Sequence, residues 1–267
     1  MQIYEFYKII NAYAPKSLSD DYCARYGAYD NSGILVDTGD EIKKALFSLD
    51  LSFSAIQKAI AEKANLIVTH HPAIYGKIGD IAFSDFEPLG EKLITCIKKG
   101  ISVISMHLNL DCAKGGIDES LAMAISGGAL KNASIMHSLN ENGYGYGRAY
   151  DIVPQTLGEL VERLQGALRT ERITVYGNKD KEITRIASFC GGGADEQAVE
   201  FASTQGAQAI VSSDFKHHIL TLATEKGLSV IALTHYASEN YGFEKYYQKI
   251  LKSVDLPCVY HTDENML

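Results

Sequence analysis

The sequence predicts an α/β fold in two α/β lobes, each with a mainly parallel sheet flanked by helices. Three observations carry that expectation. Short β-rich runs alternate with amphipathic helical stretches, the pattern of helices packed on a largely parallel sheet. A stretch rich in Gly, Asn and Ser at about 126–147 reads as the connection between two such series, which gives a first lobe at 1–130 and a second at 131–267. The halves also echo each other: Gly100-Ile-Ser-Val-Ile-Ser-Met-His107-Leu-Asn-Leu-Asp111 in the first, Gly227-Leu-Ser-Val-Ile-Ala-Leu-Thr-His235-Tyr-Ala-Ser-Glu239 in the second. An old duplication explains the echo, and so does the common use of Gly-led apolar strands in α/β units.

The elements follow in order. Asp30-Asn31-Ser32-Gly33 reads as a turn into a strand at Ile34-Leu35-Val36, with Asp30 or Asn31 near a functional site as the alternative. A strand at 44–49 precedes a helix at 53–63, whose apolar residues recur at helical spacing. Residues 65–69 form a strand, 88–99 a helix and 101–105 a strand, with a further helix starting near Ile117. Past the connection, 156–167 is helical and 172–176 and 183–189 are strands. A helix at about 194–204, a strand at 208–212, a helix at about 217–225 and a strand at 228–233 follow. A helix at about 239–252 and a short strand at 257–261 close the chain.

Bulk properties narrow the class. At 267 residues the chain can bury a substantial core. A formal net charge of -8 with no basic run argues against nucleic-acid coating, which needs clustered Lys and Arg. Five scattered cysteines without a CxxC pair point to neither a disulfide framework nor a thiolate zinc site, and they fit a reducing cytoplasm. No apolar run approaches the ~20 residues of a membrane span, and the N-terminal residues lack a signal-peptide pattern.

The chemistry lies in the histidines. Six of the eight fall just after expected strands: His70-His71, His107, His217-His218 and His235. Ligands of open α/β sheets collect at the carboxyl ends of strands. Imidazoles with carboxylates, and no thiolates, suit Zn, Mn, Fe, Co or Ni. Adjacent side chains on a regular strand point to opposite faces, so His70 and His71 serve one site only if the strand ends there, as Pro72 implies. His107-x-x-x-Asp111 and His235-x-x-x-Glu239 each place a histidine and an acid on one side of a helical turn. Two ions ~3.5–4 Å apart are commonly clamped by a bridging carboxylate; Glu239 has the longer reach and Asp111 becomes a terminal ligand. His107 or His218 is the candidate proton carrier. The alternative reading of Glu239 as a helix-start acid rests on the dipole alone. Cys190-Gly191-Gly192-Gly193-Ala194 is either a tight turn or a phosphate-holding loop, although it has neither GxGxxG nor a Walker lysine. Asp214, Lys216, His217 and His218 read as groups that support ligands or handle substrate.

In order, Asp30-Asn31-Ser32-Gly33, NLIVTHHP at 65–72, SMHLNLD at 105–111 with Gly115-Gly116, CGGGA at 190–194, SDFKHH at 213–218 and THYASE at 234–239 resemble the YbgI/YqfO-type dinuclear-metal proteins, also called GTP cyclohydrolase I type 2-like or NGG-interacting-factor-three-like. The resemblance implies a toroidal homohexamer and two α/β lobes, with a centre for two divalent metal ions in the interlobe cleft. His70, His71, Asp111, His235 and Glu239 match the ligands, Glu239 bridging. His107 stands beside the centre and His218 ends an Asp-x-x-x-His segment. Tyr29 replaces the usual Trp, and Leu108 in His107-Leu108-Asn109 replaces a hydroxyl-bearing residue. The implied activity is hydrolysis of a nucleotide or other small molecule, for GTP by opening the guanine imidazole ring with loss of formate. A metal-dependent hydrolase is therefore one expectation, and a non-catalytic metal-binding scaffold or regulatory ring is the other.

Overall fold

A computed structural model describes residues 1–76, 78, 81–83 and 88–266. The chain divides into two units, Met1–Ala113 with Phe243–Asp263, and Lys114–Gly242 with Glu264–Leu267. The first unit runs α1 (Ile3–Tyr13), α2 (Lys16–Tyr26), β1 (Gly33–Val36), β2 (Ala45–Ser48), α3 (Phe53–Glu62), β3 (Leu66–Thr69), α4 (Leu89–Lys98), β4 (Ser102–Ser105) and α5 (Leu108–Cys112). The second holds α6 (Ile117–Ser126), β5 (Lys131–Ser138), β6 (Gly145–Thr156), α7 (Leu157–Leu168), β7 (Thr174–Tyr176), β8 (Glu182–Ser188), α8 (Glu196–Thr204), β9 (Ala209–Ser213), α9 (His217–Glu225) and β10 (Ser229–Leu233). Helix α10 (His235–Ile250) begins in the second unit and ends in the first, where β11 (Cys258–His261) returns to the sheet.

The first sheet has the order β1-β4-β3-β2-β11, parallel throughout except for the antiparallel edge strand β1. Strand alternation sorts its core. Leu46, Ile67 and Val103 pack with Ile56, Ala59, Leu93 and Cys96 of α3 and α4. Phe47 meets the rings of Phe243, Tyr246 and Tyr247. Each fully buried side chain of this size contributes about 1.5–3 kcal/mol. The Tyr246 hydroxyl donates to the Ile10 carbonyl at 3.1 Å and so ties α10 to α1. Ser52 caps α3, accepting from the Ala55 N–H.

The second sheet, β5-β6-β8-β9-β10-β7, departs from the expected parallel pattern. Only β8/β9 and β9/β10 are parallel; β5/β6, β6/β8 and β10/β7 are antiparallel. Much of the departure comes from the stretch expected to be a connection. Residues 131–138 are strand β5, and β6 begins at Gly145. The turn-forming Asn140, Asn142 and Gly143 (φ 87°) belong to the hairpin between them rather than to a linker. Helix α6, which a boundary at 130 would give to the first lobe, packs on β6 and α7. Residues 1–26, left unassigned by periodicity, form two helices separated at Pro15. Helix α10 starts at His235, four residues earlier than its apolar spacing indicates, with the Thr234 hydroxyl accepting from the Ala237 N–H at 3.1 Å. Among the described residues no helix is long and apolar enough to cross a membrane.

Candidate metal centre

In the first unit, strand β3 ends in a turn that gathers two histidines. The N–H groups of His70 and His71 both donate to the Leu49 carbonyl, at 3.1 and 3.0 Å, so strand geometry stops after Thr69. The Thr69 hydroxyl then donates to the His71 carbonyl at 2.7 Å. The two rings, which a continuing strand would send to opposite faces, lie 5.0 Å apart. Their neighbour His107 follows β4, with ring distances of 5.2 Å to His70 and 5.9 Å to His71. A nitrogen from each of the three lies within 4.8 Å of the others.

His107 also opens α5. Its carbonyl accepts from the Leu110 and Asp111 N–H groups, which makes the His-x-x-x-Asp unit a helical turn. Asp111, only 4% exposed, is thereby aimed at His70, with Oδ1 3.5 Å from Nε2.

The ring orientations are set from behind. His70 Nδ1 meets the Met106 carbonyl at 2.8 Å, His71 Nδ1 meets Asp50 Oδ1 at 2.7 Å, and His107 Nδ1 meets Asp30 Oδ1 at 2.7 Å. Carbonyls and carboxylates only accept, so each Nδ1 carries a proton, and in the neutral imidazole the lone pair sits on Nε2. Asp30 is fixed in turn by the hydroxyls of Ser19 (2.5 Å) and Ser32 (2.6 Å). Burial opposes its ionised form, but the His107 hydrogen bond and charge, with the two serine hydroxyls, hold its carboxyl well below the usual range.

The second unit repeats the device. His235 and Glu239 occupy one face of the first turns of α10, with His235 Nε2 3.1 Å from Glu239 Oε2. His235 Nδ1 is 2.5 Å from Asp214 Oδ2. Asp214 takes a positive φ of 54° where β9 leaves the sheet. Glu239 is 3% exposed.

Beneath it lies the triple-glycine segment. The Gly191 N–H donates to the Ser238 hydroxyl at 3.0 Å, and the Gly191 carbonyl accepts from the Ser213 hydroxyl at 2.6 Å. A side chain on Gly191 would overlap Glu239 Oε1, and one on Gly193 would overlap the Tyr146 hydroxyl. These glycines therefore admit a carboxylate and a phenol, which is a packing role.

His218 stands apart. It is exposed on α9, its Nε2 3.2 Å from Glu196 Oε1, and it is in none of the potential metal-holding groups among the described residues. His217 begins the same helix. Spacing identified the histidines and their acids but missed Asp50, which becomes visible only once β2 is paired beside β3. It also read Asp30 as a turn residue. The turn exists, and its carboxylate is what orients His107.

The donor set fits a divalent cation. His70 Nε2 with Asp111 Oδ1, and His235 Nε2 with Glu239 Oε2, put a basic nitrogen against a carboxylate oxygen. Such a pair needs positive charge between its atoms, supplied by a proton or by a metal. Separations of 3.1–3.5 Å match two ligands on one ion, each about 2.0–2.2 Å away. Metal-binding histidines characteristically give their other ring nitrogen to a carboxylate or carbonyl, as all four do.

The chain is similar to known proteins over nearly its whole length. The model described as Duf34/NIF3 (NGG1p interacting factor 3) matches residues 1–264. A "GTP cyclohydrolase 1 type 2 homolog" of Campylobacter jejuni is 30% identical over 269 residues, covering 99% of this chain and 98% of the relative. One from Clostridium acetobutylicum is 29% identical over 243 residues, covering 90% and 85%. Reduced HcgD from Methanocaldococcus jannaschii superimposes with a TM-score of 0.79 at 27% identity, covering 97% of each chain. A Bacillus cereus protein related to NIF3 shares the fold at 19% identity, with a TM-score of 0.80 over 98% of this chain and 97% of its own. With the match running from Met1 to Glu264, the chain belongs to the Duf34/NIF3 family.

Proposed function

We propose that this protein binds two divalent metal ions (Zn, Mn, Fe, Co or Ni) and uses them in hydrolysis, in the manner named for its GTP cyclohydrolase 1 type 2 homologs. The observation that carries the reading is the shared orientation of four imidazoles, each with Nδ1 engaged by a carboxylate or carbonyl. His70, His71, Asp111, His235 and Glu239 are the residues that would hold the ions. Bound divalent ions act as Lewis acids and bring the pKa of water towards ~7.

The chain's own residues do the rest. Asp50 and Asp214 fix the rings of His71 and His235. Asp30 holds His107 where its imidazole can move a proton beside the donor set. His218, the other expected proton carrier, has its Nε2 against Glu196 and is in none of the potential metal-holding groups among the described residues. The buried setting of Asp111 and Glu239 keeps competing water from the carboxylates. The proposal extends to a nucleotide or related small-molecule substrate, a homohexameric ring and a cytoplasmic location, where five free cysteines stay reduced.

The test is elemental analysis of wild type beside Glu239→Ala, followed by hydrolysis assays on GTP and phosphoesters with the metal found. About two ions per chain in wild type, a sharp fall in the variant and a parallel loss of turnover are expected. Metal lost with assembly affected and no turnover in wild type would instead establish the scaffold reading. Wild type that takes up none of the five metals would overturn the metal reading.

A further inference from the structure

Tyr29 and Tyr75 lie in the first unit beside the histidine group, and both are largely in solvent, 52% and 61% exposed. Exposed tyrosines normally need no explanation. These two are held in place. The Asn31 amide donates to the Ile74 carbonyl at 2.8 Å, the Ala73 N–H donates to the Ser105 hydroxyl at 3.1 Å, and the Tyr75 hydroxyl donates to the Tyr29 carbonyl at 3.3 Å. The rings pair edge-to-face with centroids 5.3 Å apart, and the Tyr75 ring is 6.4 Å from that of His107 at 88°. One turn builds all of this: Tyr29 supplies a ring, Asp30 orients His107, Asn31 pins the chain before Tyr75, and Ser32 accepts from the His107 N–H at 3.0 Å.

An edge-to-face pair uses at most one face of each ring. Both rings are more than half exposed, which leaves aromatic surface accessible to a flat ligand. Because the backbone of both rings is already fixed, little ordering cost remains to be met on binding. Aromatic side chains in this state stack on any base, since every base has a π-face. We propose that Tyr29 and Tyr75 form a stacking platform for a planar nitrogen heterocycle and present it to the His70, His71 and His107 group. The inference rests on the reading of that group as the reaction site and adds the residues that select the substrate class.

The experiment is calorimetric titration of metal-loaded protein with guanosine, adenosine and ribose 5-phosphate, with metal content measured on every sample. Wild type binds the two nucleosides and binds ribose 5-phosphate more weakly. Tyr75→Ala and Tyr29→Ala weaken nucleoside binding roughly five- to hundredfold, the loss of one aromatic stack. Tyr75→Phe stays close to wild type because the ring remains. Tyr4→Ala, altering a tyrosine 67% exposed on α1, leaves binding unchanged. Nucleosides that fail to bind, or that bind Tyr75→Ala as they bind wild type, overturn the platform. If wild type takes up none of the five metals while Tyr75 still governs nucleoside affinity, the metal reading falls and the platform stands.

Discussion

Gly191 leaves no room for a side chain below Glu239: at φ 55° a Cβ there would overlap Oε1 and lie 3.3 Å from His235 Nε2. The second glycine of the segment faces Asp214, where a Cβ would come 3.4 Å from Oδ2. The loop after β8 is thus shaped around the acid, the histidine and the carboxylate that orients it.

Gly191→Ala is accordingly expected to lower metal content by displacing the Glu239 carboxylate. Backbone strain in the left-handed region adds roughly 1–2 kcal/mol of destabilisation whatever the space. A second glycine separates the two effects. Gly227→Ala, at φ 78° with nothing within 4 Å of its Cβ, carries the strain without the overlap, so it should lose melting temperature and keep metal. Elemental analysis after dialysis, with thermal melts of the same samples, reads both. Wild-type metal content in Gly191→Ala would show that Glu239 does not depend on the bare backbone.

Asp50→Ala removes the acceptor behind His71 while leaving every proposed ligand in place. Loss of such an orienting partner typically costs 10–100-fold in metal affinity. Competition titration with a chromogenic chelator should show a weakening of that order. Because the Asp50 side chain is about half exposed, the melting temperature of the metal-free protein should hardly move. A large fall in stability with unchanged metal affinity would make Asp50 a structural residue instead.

These side chains show what the sequence displays and what it hides. His70-His71, His107-x-x-x-Asp111 and His235-x-x-x-Glu239 are legible because ligand spacing is local: one turn or one helical face brings the atoms together. The parallel core around β2, β3 and β4 is legible for the same reason, as buried strands read as apolar runs. Asp50 is hidden because its partner is 21 residues away, and only the parallel register of β2 with β3 makes them neighbours. The hairpin of β5 and β6 is hidden because exposed edge residues in β5 give no apolar alternation, while glycines and asparagines in its turn imitate a linker. The role of the triple glycine depends on α10 packing above it, which no local pattern encodes.

Asp30 gives a signed pH dependence. Its carboxyl is held below the ordinary value of 3.8, so it stabilises the fold fully above that value, and the contribution is lost as pH falls through the depressed one. Asp30→Asn should therefore be less stable than wild type near neutral pH. The two melting curves should converge as the pH is lowered below about 4. Thermal melts of both proteins across that range test the sign. A gap that stays constant into strong acid would mean that the charge of Asp30 contributes nothing.

Asp118 and Arg148 form a buried ion pair in the second unit, each at most 2% exposed. Arg148 Nη1 donates to Asp118 Oδ2, while Oδ1 accepts from the Cys190 N–H at 3.4 Å and Oδ2 from the Gly147 N–H at 3.2 Å. The pair thus anchors the residue just before Gly191. Asp118→Ala strands a buried guanidinium and should cost about 3–5 kcal/mol in urea unfolding. Asp118→Leu with Arg148→Met removes both charges and should cost less than the single change, although the Gly147 and Cys190 N–H groups still lose an acceptor. If the ion pair positions the glycine segment as well as stabilising the unit, both variants lose metal while still folded. Metal content at the wild-type level in the folded double variant would confine the pair to stability alone.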